Sequence, residues 1–304
     1  MTTYLGWNMD FSQPAGEPAL VHPGSVQWRI YKNPIALGIG GVAAVLLEFA
    51  DARIRSGVWD HSTYKADPIG RSRRTGVAAM VGVYGPQTAA RRVIQGVSNM
   101  HARVNGETPS GESYRALDPE LLDWVAATAA YGFLNAYDRF VKPVSEADKA
   151  RFYREGAPIA RLYGVQQPLT STADFMVMME KLAPRFEPHP IVREFLDIIQ
   201  SGRAAPTVPK FLHRALARAS VSLLPPLVRE RLELGREFDL TLADRIALKA
   251  AGRLADRAPI PGSPPTQAAL RLGLPANFAF RSATEQQRLL REAGLSGSPE
   301  PVAA

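Results

Sequence analysis

The stretch RSRRTG, Arg71 to Gly76, sets three arginines and a threonine into six residues just after an Asp-Pro turn. At about 100° per residue, Arg71, Arg74 and Thr75 share the side of a helix that continues through Ala78, Gly82 and Gly85. Val77, Met80, Val81 and Tyr84 take the other side, with Arg73. Large apolar side chains ordinarily face the core, which would leave the arginine side in water. A face of Thr, Ala and Gly below two guanidiniums also suits a cavity wall, because small residues let a flat molecule or another backbone come close.

Two more side chains stand out. Glu48, in GVAAVLLEFAD, lies in line with Leu37, Gly41, Ala44, Val45 and Ala52 on a helix that is otherwise almost wholly apolar. An unpaired buried charge costs several kcal/mol, so this carboxylate sits either at a packed helix edge or against a cation. Arg71 and Arg74 are candidate partners, and a buried acid beside a cation is a usual setting for a general base. His101, in RRVIQGVSNMHARVNG, falls beside Val97, Met100 and Val104 on the apolar side of a helix that stops at Asn105-Gly106. Such a histidine is either a satisfied core residue or a ligand.

Other chemistries find little support. His22, His61, His189 and His213 form no metal-ligand spacing, and there is no HExxH. GIGGVA at 38–43 has no preceding strand to make a dinucleotide loop, and no GxSxG marks a nucleophile elbow. The absence of cysteine removes disulfides, iron–sulfur clusters, thiolate-ligated haem and cysteine nucleophiles together.

The elements that must position these residues read as helices. Asn33-Pro34 is an N-cap with proline at the first helical position, opening a helix expected to run to about Arg55. Asp118-Pro119 opens ELLDWVAATAAYGFLNAYDRF, and Ser145 with Asp148, Ser171 with Asp174 and Thr241 with Asp244 are capping-box variants. Segments near 87–104, 190–201, 209–220 and 226–235 are also helical in pattern, and alternating β-type patterns are nearly absent. The expectation is an all-α protein of roughly ten or more helices. An irregular arm over 1–32 precedes a helical domain at 33–257. A linker, a short helix near 282–293 and a disordered Pro/Gly-rich tail follow over 258–304.

With 304 residues, 46% hydrophobic and 21% charged, the chain has the make-up of a soluble globular protein. A net charge of +7 would suit an anionic partner. The arginines are spread out with no aromatic-interleaved basic run, so no nucleic-acid partner is expected. MTTYLGWNMDFSQPAGEP has no basic start ahead of an apolar core, and the longest apolar run, Pro34 to Leu47, is too short for a bilayer. A cytoplasmic protein without stable membrane insertion is the expectation. If any part met an anionic membrane, it would be the Arg-rich stretch from Arg214 to Arg236.

The order LLEFAD, GVWDHSTYKADPIGRSRRT, VYG, NMHARVNG, YRALDPELLDWV, AY resembles the helical oxygenase family of latex clearing protein, the rubber oxygenase, and of MpaB. The likeness covers roughly residues 25–200 and rests on HS-x-Y-x-x-DP, R-x-x-R-T and H-A-R-V-x-G. It implies a globin-like helical domain holding a b-type haem, with His101 as the proximal iron ligand. It also implies a distal set of Glu48, Arg71, Arg74 and Thr75, with arginine at 74 where the rubber oxygenase has lysine. Glu48 would act as general base or stabilise a carbocation, and Arg71 would hold that carboxylate ionised. Arg74 and Thr75 would hydrogen-bond oxygen or substrate. The implied partners are O2 and an apolar small molecule, isoprenoid or polyketide. The chain departs from the family at Asp51-Ala52, where many members have His-Pro, and at Ala126, where many have histidine. An arginine at 74 stays protonated and can be neither a neutral iron ligand nor a proton acceptor. These departures bear on the reaction more than on haem binding. The other reading is a helical protein that binds haem or an apolar ligand without turning it over.

Overall fold

Polar side-chain caps set most helix starts in the computed structural model, four of them followed by proline (Asn33, Asp67, Asp118 and His189); it describes residues 3–4, 7–63, 66–203 and 209–296. The N-terminal residues form the two-residue strands β1 (Thr3–Tyr4) and β2 (Trp7–Asn8), paired antiparallel. Helix α1 (Val26–Tyr31) follows, so the expected irregular arm ends in a helical turn and a half that begins where Ser25 accepts from Trp28 N. In α2 (Pro34–Glu48), Asn33 Oδ1 accepts from Ile35 N and Ala36 N, both at 3.1 Å.

The single helix expected from 33 to about 55 is two. The chain breaks after Glu48 and restarts as α3 (Ala52–His61), because Asp51 Oδ1 accepts from Arg53 N at 2.9 Å and makes a new N-cap. Helix α4 (Pro68–Tyr84) is capped by Asp67, and α5 (Gln87–His101) ends at a small hairpin of β3 (Asn105–Glu107) and β4 (Ser113–Arg115), with Gly106 opposite Tyr114.

The long α6 (Pro119–Phe140) and α7 (Glu146–Leu162) are capped by Asp118 and Ser145. Next come α8 (Thr172–Leu182), α9 (Pro190–Gln200), α10 (Lys210–Ser222), α11 (Pro226–Arg231) and α12 (Leu242–Arg257). Both α8 and α12 carry full capping boxes, Ser171 with Asp174 and Thr241 with Asp244. Beyond 258 the chain forms α13 (Pro264–Arg271) and α14 (Ala283–Glu292), the latter opened by Ser282. The tail expected to be disordered lies, from 297 onward, outside the described residues. The fold is all-α, and no described helix is long and apolar enough to cross a membrane.

Two packed cores emerge. In the first, α2 and α6 approach until their backbones touch: a Cβ on Gly40 would lie 2.7 Å from the Gly132 carbonyl. Ile39, Leu46 and Leu47 of α2 meet Trp124, Leu134 and Phe140 of α6, together with side chains from α8 to α12. Trp124 stacks on Phe175 with centroids 5.5 Å apart and donates Nε1–H to Leu47 O at 3.3 Å.

The second core joins the chain's ends to α1, α4 and α5. Phe11, Trp28, Val77, Val81, Tyr84, Ile94, Ala268 and Phe278 are buried together. Buried Arg271, at the end of α13, donates to the carbonyls of Phe11 (2.5 Å), Glu17 (2.8 Å) and Tyr84 (2.9 Å). Residues 258–296, expected as linker and short helix, thus contribute buried wall to this core. Their composition hid this because Pro264 and Pro265 occupy a helix start, where a missing N–H costs nothing.

Candidate functional site

Glu48 ends α2, one turn after Val45 and two turns beyond the glycine contact with α6. The close approach places it beside Thr128, whose Oγ lies 3.3 Å from Glu48 Oε1 and 2.8 Å from Val125 O. A hydroxyl has one proton, and the shorter contact gives it to the Val125 carbonyl. The longer contact, to Glu48 Oε1, takes the weaker share of the same donor.

Burial pushes the Glu48 carboxyl up to about 7; the Arg71 cation and Thr128 pull it down but do not overcome the loss of water. Arg71 therefore leaves the acid divided between its two forms near neutrality, rather than holding it fully ionised. Glu48 nevertheless keeps some accessible surface. The carboxylate is thus largely desolvated without being sealed off. Val45 and Val125, one turn before Glu48 and Thr128, are partly buried apolar neighbours on the same two helices.

His101 occupies the last position of α5 and is half-buried. Burial, and after it the Arg71 cation, lower its pKa, so the ring is biased to the neutral form with a free lone pair. Neither ring nitrogen has a hydrogen-bond partner among the described residues. The structure thus brings three of the five sequence-derived residues into one electrostatic neighbourhood: Arg71 acts on both Glu48 and His101.

The other two point elsewhere. Arg74 turns back to the segment before α4, with Nη2 2.5 Å from Thr63 Oγ and Nη1 3.9 Å from Asp67 Oδ2. Thr75 is exposed, accepts from the Arg71 guanidinium and donates to Arg71 O at 3.1 Å. In this arrangement Arg74 orders a loop, while Thr75 braces Arg71 from its outer side. Arg73 is exposed, although the apolar residues that share its side of the helix (Val77, Met80, Val81, Tyr84) are all buried.

Thr128 is the participant that sequence reasoning missed. Its signal was a hydroxyl in the middle of the small-residue run AATAAYG, four residues before the contact glycine. The departure at Asp51 also has a structural account. Asp51 is buried, caps α3 and forms a two-point ion pair with Arg53 at 2.7 and 3.1 Å, with Glu120 3.0 Å away on the other side. The position is thereby fully used in joining α2, α3 and α6.

Among the described residues no group of three or more His, Asp or Glu side chains could hold a bare metal ion. The donor set instead suits a centre that brings most of its own ligands and needs one imidazole. The family model for the ER-bound oxygenase mpaB/B'/Rubber oxygenase catalytic domain matches residues 28–257. No curated protein and no solved structure gives a significant match.

Proposed function

The chain belongs to the MpaB and rubber oxygenase catalytic-domain family, and on that premise we propose that it is a haem-b-dependent oxygenase using O2 on an apolar small molecule of isoprenoid or polyketide type. The observation that carries the reading is the shared electrostatic neighbourhood of Glu48, Arg71 and His101, in which the Arg71 cation acts on both of the others. His101 fits the group: a porphyrin supplies four nitrogens and asks for one neutral imidazole, and this ring is neutral-biased and unbonded. Haem iron, when bound, supplies the activation of O2.

The protein's own groups do the rest. Glu48, with a pKa near 7, can take a proton from an apolar substrate that has no acidic group of its own, or hold a developing positive charge. Arg71 sets how much of that carboxylate is ionised, and Thr128 orients it through Oε1. Val45 and Val125 keep the setting apolar, which admits such a substrate and strengthens each charge interaction. A cytoplasmic location is part of this reading.

A second reading, binding of haem or an apolar ligand without turnover, draws on Arg74 being engaged by Thr63 and Asp67 and on Thr75 being exposed. One experiment tests both. The purified protein should show a Soret band with iron near one per chain, and His101→Ala should lose it; full haem content in that variant would overturn the assignment. Oxygen consumption with terpenoid or polyketide substrates then separates an enzyme from a carrier.

A further inference from the structure

Of the nine large hydrophobic side chains most open to water among the described residues, six fall between 211 and 270, and three of these sit on α12: Leu242 and Leu254, each 70% exposed, and Ile246, 60% exposed. Leu248 and Gly252 turn the opposite side of α12 toward the protein, where Gly252 packs against the backbone of Phe140. At about 100° per residue Arg253 and Arg257 share the outward half of the helix with the three aliphatic residues, while exposed Arg245 and partly buried Lys249 lie toward one edge of it. None of the four cations has an ion pair among the described residues. Asp244 and Asp256, the two acids of α12, are engaged elsewhere, with Arg218 and with Lys32.

Other surface helices of this chain are unlike this one. On α7, Lys149 and Arg151 are matched by Glu146 and Glu155, and on α14, Arg288 is matched by Glu285 and Glu292. The outer face of α12 combines bare aliphatic tips with cations that have no ion pair among the described residues. Phe211, 73% exposed, heads α10, which packs against α12.

We propose that the outer face of α12 docks this protein on an anionic phospholipid bilayer surface, lying parallel to it. The chemistry discriminates among partners. A protein interface concentrates apolar area and depletes charge from its centre, whereas here cations and aliphatics interleave. Nucleic acid would use the cations but offers nothing to three aliphatic tips. A bilayer surface takes both: the tips enter the acyl boundary while Arg and Lys stems lie along it with their heads at the phosphates. The attachment is by a face, since no described helix is long and apolar enough to span. It stands independently of the chemistry at the candidate site.

The test is sedimentation of the full chain with vesicles of phosphatidylcholine containing about one quarter phosphatidylglycerol, beside pure phosphatidylcholine vesicles. Binding is expected to the anionic vesicles only, and to weaken as salt rises from about 0.05 to about 0.5 M, where screening shortens to a few ångströms. The pair Arg253→Glu with Arg257→Glu should lower the partition coefficient at least ~30-fold, since each cation near an anionic leaflet contributes and each reversal counts twice. Ile246→Ser with Leu254→Ser should lower it ~10-fold or more at unchanged charge. Arg288→Glu with Arg291→Glu, on α14, should leave it within about 3-fold. All these residues are exposed, and an unchanged circular dichroism melt confirms folding. Equal binding to neutral vesicles, no binding to anionic ones, or indifference to the α12 variants would overturn the proposal. So would a dimer, or a duplex-DNA complex, that the same variants abolish while vesicle binding stays absent.

Discussion

The first core, around α2, α6 and α8 to α12, draws all its buried members but Val26 from residues inside the family match; the second draws Phe11, Ala268, Phe278 and Leu290 from outside it. The candidate site lies where they adjoin. Glu48 and Thr128 hang from the first core, Arg71 and His101 from helices that help build the second. The carboxylate is therefore placed by a local event, the glycine contact of α2 and α6. The cation and the imidazole depend on the two chain ends closing over α4 and α5. One protein thus holds two halves of a site by different means, one by backbone approach and the other by long-range closure.

The largest disturbance should come from Gly132→Ala, which forces α2 and α6 apart where no side chain can yield. We expect a loss of ~3 kcal/mol or more in denaturant unfolding, in the range of overpacking at a rigid contact. A neutral result would break the claim that backbone contact fixes the first core.

Arg271→Ala should follow, at ~2–4 kcal/mol, because three buried carbonyls lose a charged donor. Its signature is regional: hydrogen exchange should quicken in α4 and α5 well before α2 and α6. Equal acceleration in both would mean that the two cores open as one.

Glu48→Gln should act through pH. A carboxyl raised to about 7 favours the folded state while protonated; that contribution is fully present below the ordinary value of 4.5 and is lost as pH rises through 7. The variant should therefore gain on the wild type by ~1–3 kcal/mol between pH 5 and pH 8. The acid limb near pH 7 in kcat/KM should disappear with it.

The smallest effect belongs to Thr75→Ala. The side chain is exposed and its bonds are to its own helix, so stability should move by less than ~0.5 kcal/mol and haem content not at all. A clear loss of haem would return Thr75 to the site and sharpen the boundary between the two halves.

Local chemistry explains how far the sequence could be read. Helix starts were legible because a cap is a matter of three or four adjacent residues, as at Asn33, Asp118, Ser171, Thr241 and Ser282. The break after Glu48 was not, because Leu37 to Phe49 is apolar on nearly every side and the restart depends on one aspartate. Arg71, Glu48 and His101 could be placed together through the family resemblance. Helix geometry grouped Arg71, Arg74 and Thr75, but 3.6-residue periodicity gives a side, not an environment. The outward placement of Arg74 and Thr75 follows from Thr63 and from the edge of α4, which periodicity does not encode. The second core was hidden for the same reason: its closure is an interaction across more than 250 residues.

The glycine crossing has a mechanical consequence. Where two helices meet without side chains between them, they can rotate about the contact more easily than they can slide. Gly40–Gly132 is then a pivot, with Glu48 eight residues along one arm, ~12 Å away, and Thr128 four residues along the other, ~6 Å away. A rotation of ~5° would carry the carboxylate by about 1 Å and the hydroxyl by half as much, enough to open or close a contact now at 3.3 Å. The protonation of Glu48 is in this way geared to the crossing angle of the two longest-shared helices of the fold.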